Sequence, residues 1–493
     1  MAADTETSFL TKVPEEMIQI DDAPKTPYWT KVKGYLRKDA LMYLILVGIV
    51  VGFGVGFGVR QLNPSKDAIM WMGIAGELFM RSLRLMILPL IVCCLISGTA
   101  SLDPKSNGKI SLTTFIYIVS TNALGSAVGV VLGVAIRPGV GTTSAERVNT
   151  TDSMETQDIF ADLLRNIVPD NMVEATFKQV ITKYSREIIH TVRNTTNGTV
   201  IDSLVVVSKS LAKVDSVNVL GLIVICTALG VATNSVKEKG DVVLRFFVGF
   251  TEIAFVIMRK IFWFAPIGIG SLIASAIAGI TDITEAFSRL GLFVLTILVG
   301  LLIYSLIVLP LILFVLTRRN PFAFIISIVR ACLMAFATSS SAAAIPDMLI
   351  ACEEKNHIDK RVTRFVIPLC ATLNRDGSAL YVACASVFVG QMMLGSISVT
   401  EAFVIWILTS VGSLAMPPVP SSGLVTLIII LTSLGIPSDG ISLLFAIDWL
   451  MDRFRTYCNI ISHTFCAAVT YQFCKKDLAQ IDQADSHQKN QIA

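Results

Sequence analysis

Five polar residues recur along one otherwise apolar stretch near the end of the chain. Asp448, Asp452, Arg455, Asn459 and His463 are spaced 4, 3, 4 and 4 residues apart. On an α-helix that spacing holds them within an arc of about 80°. A charge at the centre of a bilayer costs roughly 2.5–3.5 kcal/mol. A stripe of this kind either faces a wet, ligand-holding cavity or forms a salt-bridge seam between helices, and the first reading is preferred. Arg455 offers a planar fork of donors that matches a carboxylate. Asp452 suits an ammonium group, and Asn459 can donate to a second carboxylate. Together they suit an amino acid with an acidic side chain. Arg453 points off the stripe and is expected to pair elsewhere or meet interfacial water.

A second cluster lies in NRDGSAL, residues 374–380. Asn374 and Asp376, two apart and followed by Gly377, interrupt a helix and free its carbonyls. A carboxylate beside free carbonyls makes an oxygen-only site, which suits a hard monovalent cation such as Na⁺. Ser120, Thr121 and Asn122 form a polar group in an earlier apolar run, as further cation ligands or as polar glue between helices. Thr338, Ser339, Ser340 and Ser341 offer hydroxyls and backbone amides, either to a ligand or as a flexible hairpin tip.

These groups must be carried at membrane depth. The chain has 493 residues, 53% hydrophobic and only 16% charged, with a mean hydropathy of +0.69. Ordinary soluble domains carry about a quarter charged residues, so the bilayer is the natural solvent here. The net charge of +3 and the absence of a basic stripe with interleaved aromatics argue against a nucleic acid partner. The first apolar run, residues 40–59, is uncharged and long enough to span roughly 30 Å of hydrocarbon. It follows Lys31, Lys33, Arg37 and Lys38, which places the N-terminus in the cytoplasm. No secretory signal precedes it.

Further apolar runs fall near residues 69–98, 110–136, 215–235, 243–276 and 287–317. The polar insertion 139–215 carries sequons at Asn149, Asn194 and Asn197, and so faces outside as a glycosylated loop. That agrees with the charge argument. None of the ten cysteines lies in this loop, so it has no disulfide framework; buried small hydrophobes are the expected role for all ten. From about residue 320 to 472 the pattern is broken by Ser, Gly, Pro and charges while staying apolar. Irregular backbone at membrane depth survives only where protein buries it or it lines a cavity. Two similar units appear there, ATSSSAAAIP (337–346) followed by NRDGSALY, and MPPVPSSGLV (416–425) followed by DWLMDRFRTYCN (448–459). They are expected to form two re-entrant hairpins paired with two helices, as inverted repeats.

The expected organisation is therefore a cytoplasmic tail (1–38), three spans (39–137), the extracellular loop leading into span four (138–215), spans four to six (216–317), a core transport region (318–473) and a cytoplasmic tail (474–493). The fold class is all-α and polytopic.

The stretches SSSAAAIP, HIDKRVTRFVIPLCATLNRDGSALY, SSGLVTLIIILTSLGIPSD and DWLMDRFRT resemble the excitatory amino acid transporters, within the dicarboxylate/amino acid:cation symporters. The resemblance runs over about residues 35–475. It implies eight spans plus two re-entrant hairpins, a homotrimer in the plasma membrane, and an elevator-like transport domain moving against a fixed trimerisation scaffold. It implies that Asp452 binds the substrate ammonium, Arg455 the side-chain carboxylate and Asn459 the α-carboxylate. Ser340 and Ser341 would contact the α-carboxylate and Ser378 would help to position the substrate. Sodium would be bound at Thr121, Thr372, Asn374 and Asp376; Asn122 joins this set from the polar cluster. Family members also conduct chloride.

The chain departs from that pattern at several points. Arg375 and Ser378 replace Met and Thr of N-M-D-G-T. Val382 stands where a glutamate is tied to potassium counter-transport, which removes the support for that step. His463 replaces an aspartate that ligates sodium, and Ile118 a tyrosine near the third-span sodium site. Pro417 and Pro418 stand in a gate that normally reads G-A-A-G-I-P-Q. The expected function is sodium-coupled transport of glutamate or aspartate with altered ion coupling. The alternative is a divergent member acting mainly as a substrate-gated anion channel or an uncoupled exchanger. His463, which titrates near neutrality when unperturbed, is expected to make transport pH-dependent. An enzyme is not expected: neither HExxH nor GxSxG occurs in an apolar run.

Overall fold

The computed structural model describes residues 40–100, 108–140, 156–195, 198–215, 217–236, 238–280, 283–416 and 422–492. The basic patch before residue 40, Asn149, Asn197, and Pro417 and Pro418 of the expected second hairpin lie outside them.

The first helix, α1 (Ala40–Arg60), is followed by α2 (Lys66–Ala100) and α3 (Gly108–Ile136). A short helix, α4 (Thr156–Ile167), leads into two strands, β1 (Lys178–Thr195) and β2 (Gly198–Asp215). Then come α5 (Val219–Ser235), α6 (Glu238–Phe262), α7 (Ala265–Gly279), α8 (Ile283–Ile303) and α9 (Leu309–Thr317). Among the described residues five helices are long and apolar enough to cross a membrane, or seven when each of two bent pairs is one span. Helix α5 is shorter, at 17 residues.

Small residues let the helices approach. Gly48, Gly52 and Gly56 lie four apart on one face of α1 and meet α7; a Cβ on Gly52 would come within 2.6 Å of the Gly270 carbonyl oxygen. Gly125, Gly129 and Gly133 repeat the device on α3, where a Cβ on Gly125 would come within 2.5 Å of the Asp376 carbonyl oxygen. Close backbone approach through such stripes is how helices gain dispersion contacts in lipid, where the hydrophobic effect gives no drive.

The last third is irregular. Helices α10 (Pro321–Ser327) and α11 (Val329–Thr338), bent by 58° at Ile328, form one arm. The chain turns at Ser339, which adopts the left-handed conformation (φ 51°). It returns through α12 (Ile345–Ile350) and a π turn at Ala351–Lys355, and the returning segment packs on α11. Then α13 (Lys360–Leu373) ends at Asn374, and α14 (Asp376–Leu394) starts two residues later. A second pair, α15 (Val399–Gly412) and α16 (Ser422–Ser433), flanks residues 417–421. The chain closes on α17 (Leu444–Ile492), which contacts α3, α9, α11, α13 and α14.

The bundle is α-helical, as expected, and one two-stranded ribbon stands outside it in the polar insertion. Strands β1 and β2 form an antiparallel ribbon in register from Lys178↔Asp215 to Thr195↔Gly198. Both are rich in Val, Ile and Thr, which favour the pleated backbone, and Asn-Gly at 197–198 is a strong hairpin signal in the sequence. The ribbon is anchored at its base. The Asn166 side-chain amide donates to the Val180 carbonyl (2.7 Å) and accepts from its N–H (3.1 Å).

Candidate substrate and cation site

Helix α17 presents the predicted stripe to the interior. Asp448 is 2% exposed, Arg455 and Asn459 1% each, and His463 is fully buried. The stripe then divides by partner. Arg455 Nη2 donates to Asp452 Oδ1 (2.7 Å) and to Asp448 Oδ1 (3.0 Å). Its guanidinium lies over the Tyr381 ring, 4.2 Å from the centroid, where the ring quadrupole attracts a cation. Gly423 on α16 leaves room for this side chain: a Cβ there would collide with Nη1. Nη1 and Nε of Arg455 and Oδ2 of Asp448 have no hydrogen-bond partner among the described residues. The arginine is thus fixed by two carboxylates and a ring, with donors left over for a third anion. Arg453 turns the other way. Its Nη1 donates to the carbonyls of Phe336 (2.8 Å) and Ala337 (2.6 Å) at the end of α11, where a cation complements the helix terminus.

The lower half of the stripe fastens onto the break between α13 and α14. Asn459 Oδ1 accepts from the Gly377 N–H (2.9 Å). His463 Nε2 lies 2.9 Å from the Asn374 carbonyl oxygen. A carbonyl only accepts, so Nε2 carries a proton in this contact. The Asn374 side chain accepts from Asn122 Nδ2 (3.0 Å) and donates to Ser462 Oγ (2.9 Å). Asn122 Oδ1 accepts from the Arg375 backbone N–H (3.3 Å).

Asp376, fully buried, opens α14. One of its oxygens accepts from the Gly377 N–H (2.9 Å), the other from the Tyr304 hydroxyl (3.3 Å). That hydroxyl has a single proton, which it shares with the nearer Thr121 carbonyl (2.8 Å). No cationic side chain lies within ion-pair distance of Asp376 among the described residues. A buried carboxylate without a counter-charge is costly. The oxygens of Thr121, Asn122, Asn374, Tyr304 and Asp376 are the donor set that a hard monovalent cation takes, so these residues fit a sodium ion. The Asn374 carbonyl already accepts from His463, which leaves it one lone pair.

The predicted residues converge unevenly. Thr121, Asn122, Asn374 and Asp376 form one connected buried group. Thr372 is exposed and its hydroxyl donates to the carbonyls of Leu369 (2.8 Å) and Pro368 (3.4 Å), joining none of that group. Ser120 is exposed as well. Ser378 is buried on α14 beside the break. At the first hairpin, Ser341 is 3% exposed and Ser340 half-buried, and Ser341 Oγ lies 3.3 Å from Arg375 Nη1.

Sequence reasoning passed over Tyr304, Tyr381, Ser462 and Gly423. Tyr304 reaches the site from a π turn, Tyr304–Val308. Pro310 lacks the N–H that would bond residue 306, which favours this local widening. The signal was therefore a proline six residues after a tyrosine in an apolar run.

Apolar helices that bring buried charges together at a helix break and at the turn near Ser341 are those of a multi-pass membrane protein. Comparison with known proteins makes this specific. The model of the sodium:dicarboxylate symporter family matches residues 41–473, and the chain belongs to that family. It is 38% identical to excitatory amino acid transporter 3 of Bos taurus over 466 residues, covering 91% of this chain and 88% of the relative. It is 36% identical to excitatory amino acid transporter 1 of Ambystoma tigrinum, covering 87% of this chain and 82% of the relative. An excitatory amino acid transporter of Caenorhabditis elegans is 37% identical, with 90% of each chain covered. These are transporters rather than enzymes.

Proposed function

We propose that the protein moves L-glutamate or L-aspartate across the plasma membrane by sodium-coupled secondary transport. The observation that carries this reading is Arg455, buried in the membrane-embedded core with Nε and Nη1 unpartnered and Asp452 bound beside it. The substrate side-chain carboxylate takes the open donors of Arg455. The ammonium group takes Asp452, which then shares its charge between Arg455 and the substrate. Asn459, Ser340 and Ser341 receive the α-carboxylate, with Ser378 beside them. The names of the similar proteins support this substrate class.

Sodium supplies positive charge at Asp376, held by Thr121, Asn122, Asn374 and Asp376, with Tyr304 as a further oxygen. Coupling differs from the family pattern at His463, whose imidazole stands in place of a carboxylate and engages the Asn374 carbonyl. Potassium counter-transport has no support, because Val382 is a fully buried apolar residue. The hairpins are re-entrant, and the core 318–473 moves as an elevator within a homotrimer. The ribbon-bearing loop, with glycans at Asn149, Asn194 and Asn197, faces outside; both termini are cytoplasmic. Chloride conductance accompanies transport.

Uptake of labelled L-glutamate and L-aspartate by cells expressing the chain tests this, with external sodium present or replaced by choline. Accumulation that requires sodium is expected. No uptake from a chain shown to reach the surface contradicts it.

A further inference from the structure

Arg375 is a second arginine buried in the core, 7% exposed, and it sits between the helix break and the first hairpin. Its backbone N–H donates to Asn122 Oδ1 (3.3 Å), and Nη2 donates to the Ala371 carbonyl (2.8 Å). That carbonyl lies in the last turn of α13, where it lacks a helical partner. One end of the guanidinium is therefore anchored. The other end, Nη1, reaches Ser341 Oγ at the hairpin tip (3.3 Å), and Nε has no partner.

No carboxylate lies within ion-pair distance of Arg375 among the described residues. The carboxylate whose charge reaches it, Asp452, is already bonded to Arg455 at 2.7 Å. Asp376, its neighbour in sequence, is turned toward Gly377 and Tyr304. A buried guanidinium without an anion is strongly disfavoured. An anion would complete it, and Nη1 already reaches the serine that the proposed function gives to the substrate's α-carboxylate.

We propose that Arg375 is a specificity-determining residue that binds the α-carboxylate of the substrate together with Ser341. The site then holds one guanidinium for each of two carboxylates, Arg455 for the side chain and Arg375 for the main chain. It selects amino acids whose two carboxylates are both free and rejects those with a blocked α-carboxyl. The proposal rests on the reading of the protein as an acidic amino acid transporter.

The test compares L-aspartate with its α-amide, L-isoasparagine, as competitors of labelled L-aspartate uptake. Wild type, Arg375→Met, Arg375→Lys and Ser341→Ala are measured at matched surface level. In wild type the free acid is expected to bind about 100-fold or more tighter than the amide, the size of effect seen when a buried charged partner is removed. Arg375→Met should weaken aspartate by about that factor, leave the amide nearly unchanged and so collapse the ratio. Arg375→Lys should restore part of it, and Ser341→Ala should narrow it less. Should Arg375→Met keep the wild-type ratio, or weaken both ligands equally, the assignment is overturned. An unchanged ratio with an altered chloride dependence overturns it in favour of an inorganic anion. Failure of wild type to take up aspartate would instead contradict the proposed function itself.

Discussion

Two arginines lie buried in the core, some eighty residues apart in sequence, and their surroundings differ. Arg455 has Asp448, Asp452 and the face of Tyr381. Arg375 has a carbonyl, a hydroxyl and, among the described residues, no carboxylate. The first is more than balanced by two carboxylates within the protein. The second waits for charge from outside. Asp376 is its mirror image, a buried carboxylate with no cationic partner among the described residues. The helix break thus holds one uncompensated charge of each sign, whereas the upper stripe of α17 is paired within itself. On the proposed function, a ligand at the break would supply a missing charge, whereas a ligand at the stripe would share charges already paired.

Several substitutions sharpen this contrast. The largest effect belongs to Arg455. Arg455→Cys removes the cation between Asp448 and Asp452, and losing one partner of a buried pair costs about 3–5 kcal/mol. Uptake of acidic substrates should fall at least ~100-fold, while neutral amino acids gain entry. Unchanged uptake profiles for both classes would show that the arginine has been misassigned. At the break, His463→Asp takes the N–H from the Asn374 carbonyl and adds a carboxylate. The sodium dependence of uptake should become steeper; an unaltered sodium titration in a well-expressed variant would mean that the ring does not compete with an ion.

The smallest effect lies outside the core, at the start of α13. Asp359 caps the helix by accepting from the Arg361 N–H (2.8 Å), and it also pairs with the Arg361 guanidinium (2.7 Å). The hydrogen bonds from Arg361 hold its carboxyl below the usual carboxylate range. A depressed folded-state pKa contributes stability above the unfolded value and loses it as pH falls through the folded one. Asp359→Ala should therefore cost about 1 kcal/mol at neutral pH, and its penalty should fade below about pH 4. Thermal unfolding in detergent at two pH values measures both. An equal penalty at both would refute the capping argument.

Much of the site was legible because charge is conspicuous in an apolar chain. Asp448, Asp452, Arg455, Asn459 and His463 announced one helix face by spacing alone, and Asn374, Asp376 and Gly377 announced a break. Direction was harder to read. Nothing in the spacing says that Asn459 turns to the Gly377 N–H and His463 to the Asn374 carbonyl, because those contacts depend on how α17 crosses the break. Tyr304 was hidden for the same reason, since a π turn sets where its hydroxyl points. Thr372 carries a hydroxyl in a promising sequence, yet that group bonds back to its own helix. The β-ribbon was hidden by the polarity and sequons of the loop, although runs rich in Val, Ile and Thr on both sides of Asn-Gly carried its signal.

The central claim is that uncompensated charge at the break is completed by sodium and by the substrate. The most direct measurement is L-aspartate accumulation in liposomes containing the purified protein, driven by an inward sodium gradient alone. The account predicts accumulation above the external concentration that collapses when the gradient is dissipated. Equilibration to the external concentration with or without the gradient would contradict it.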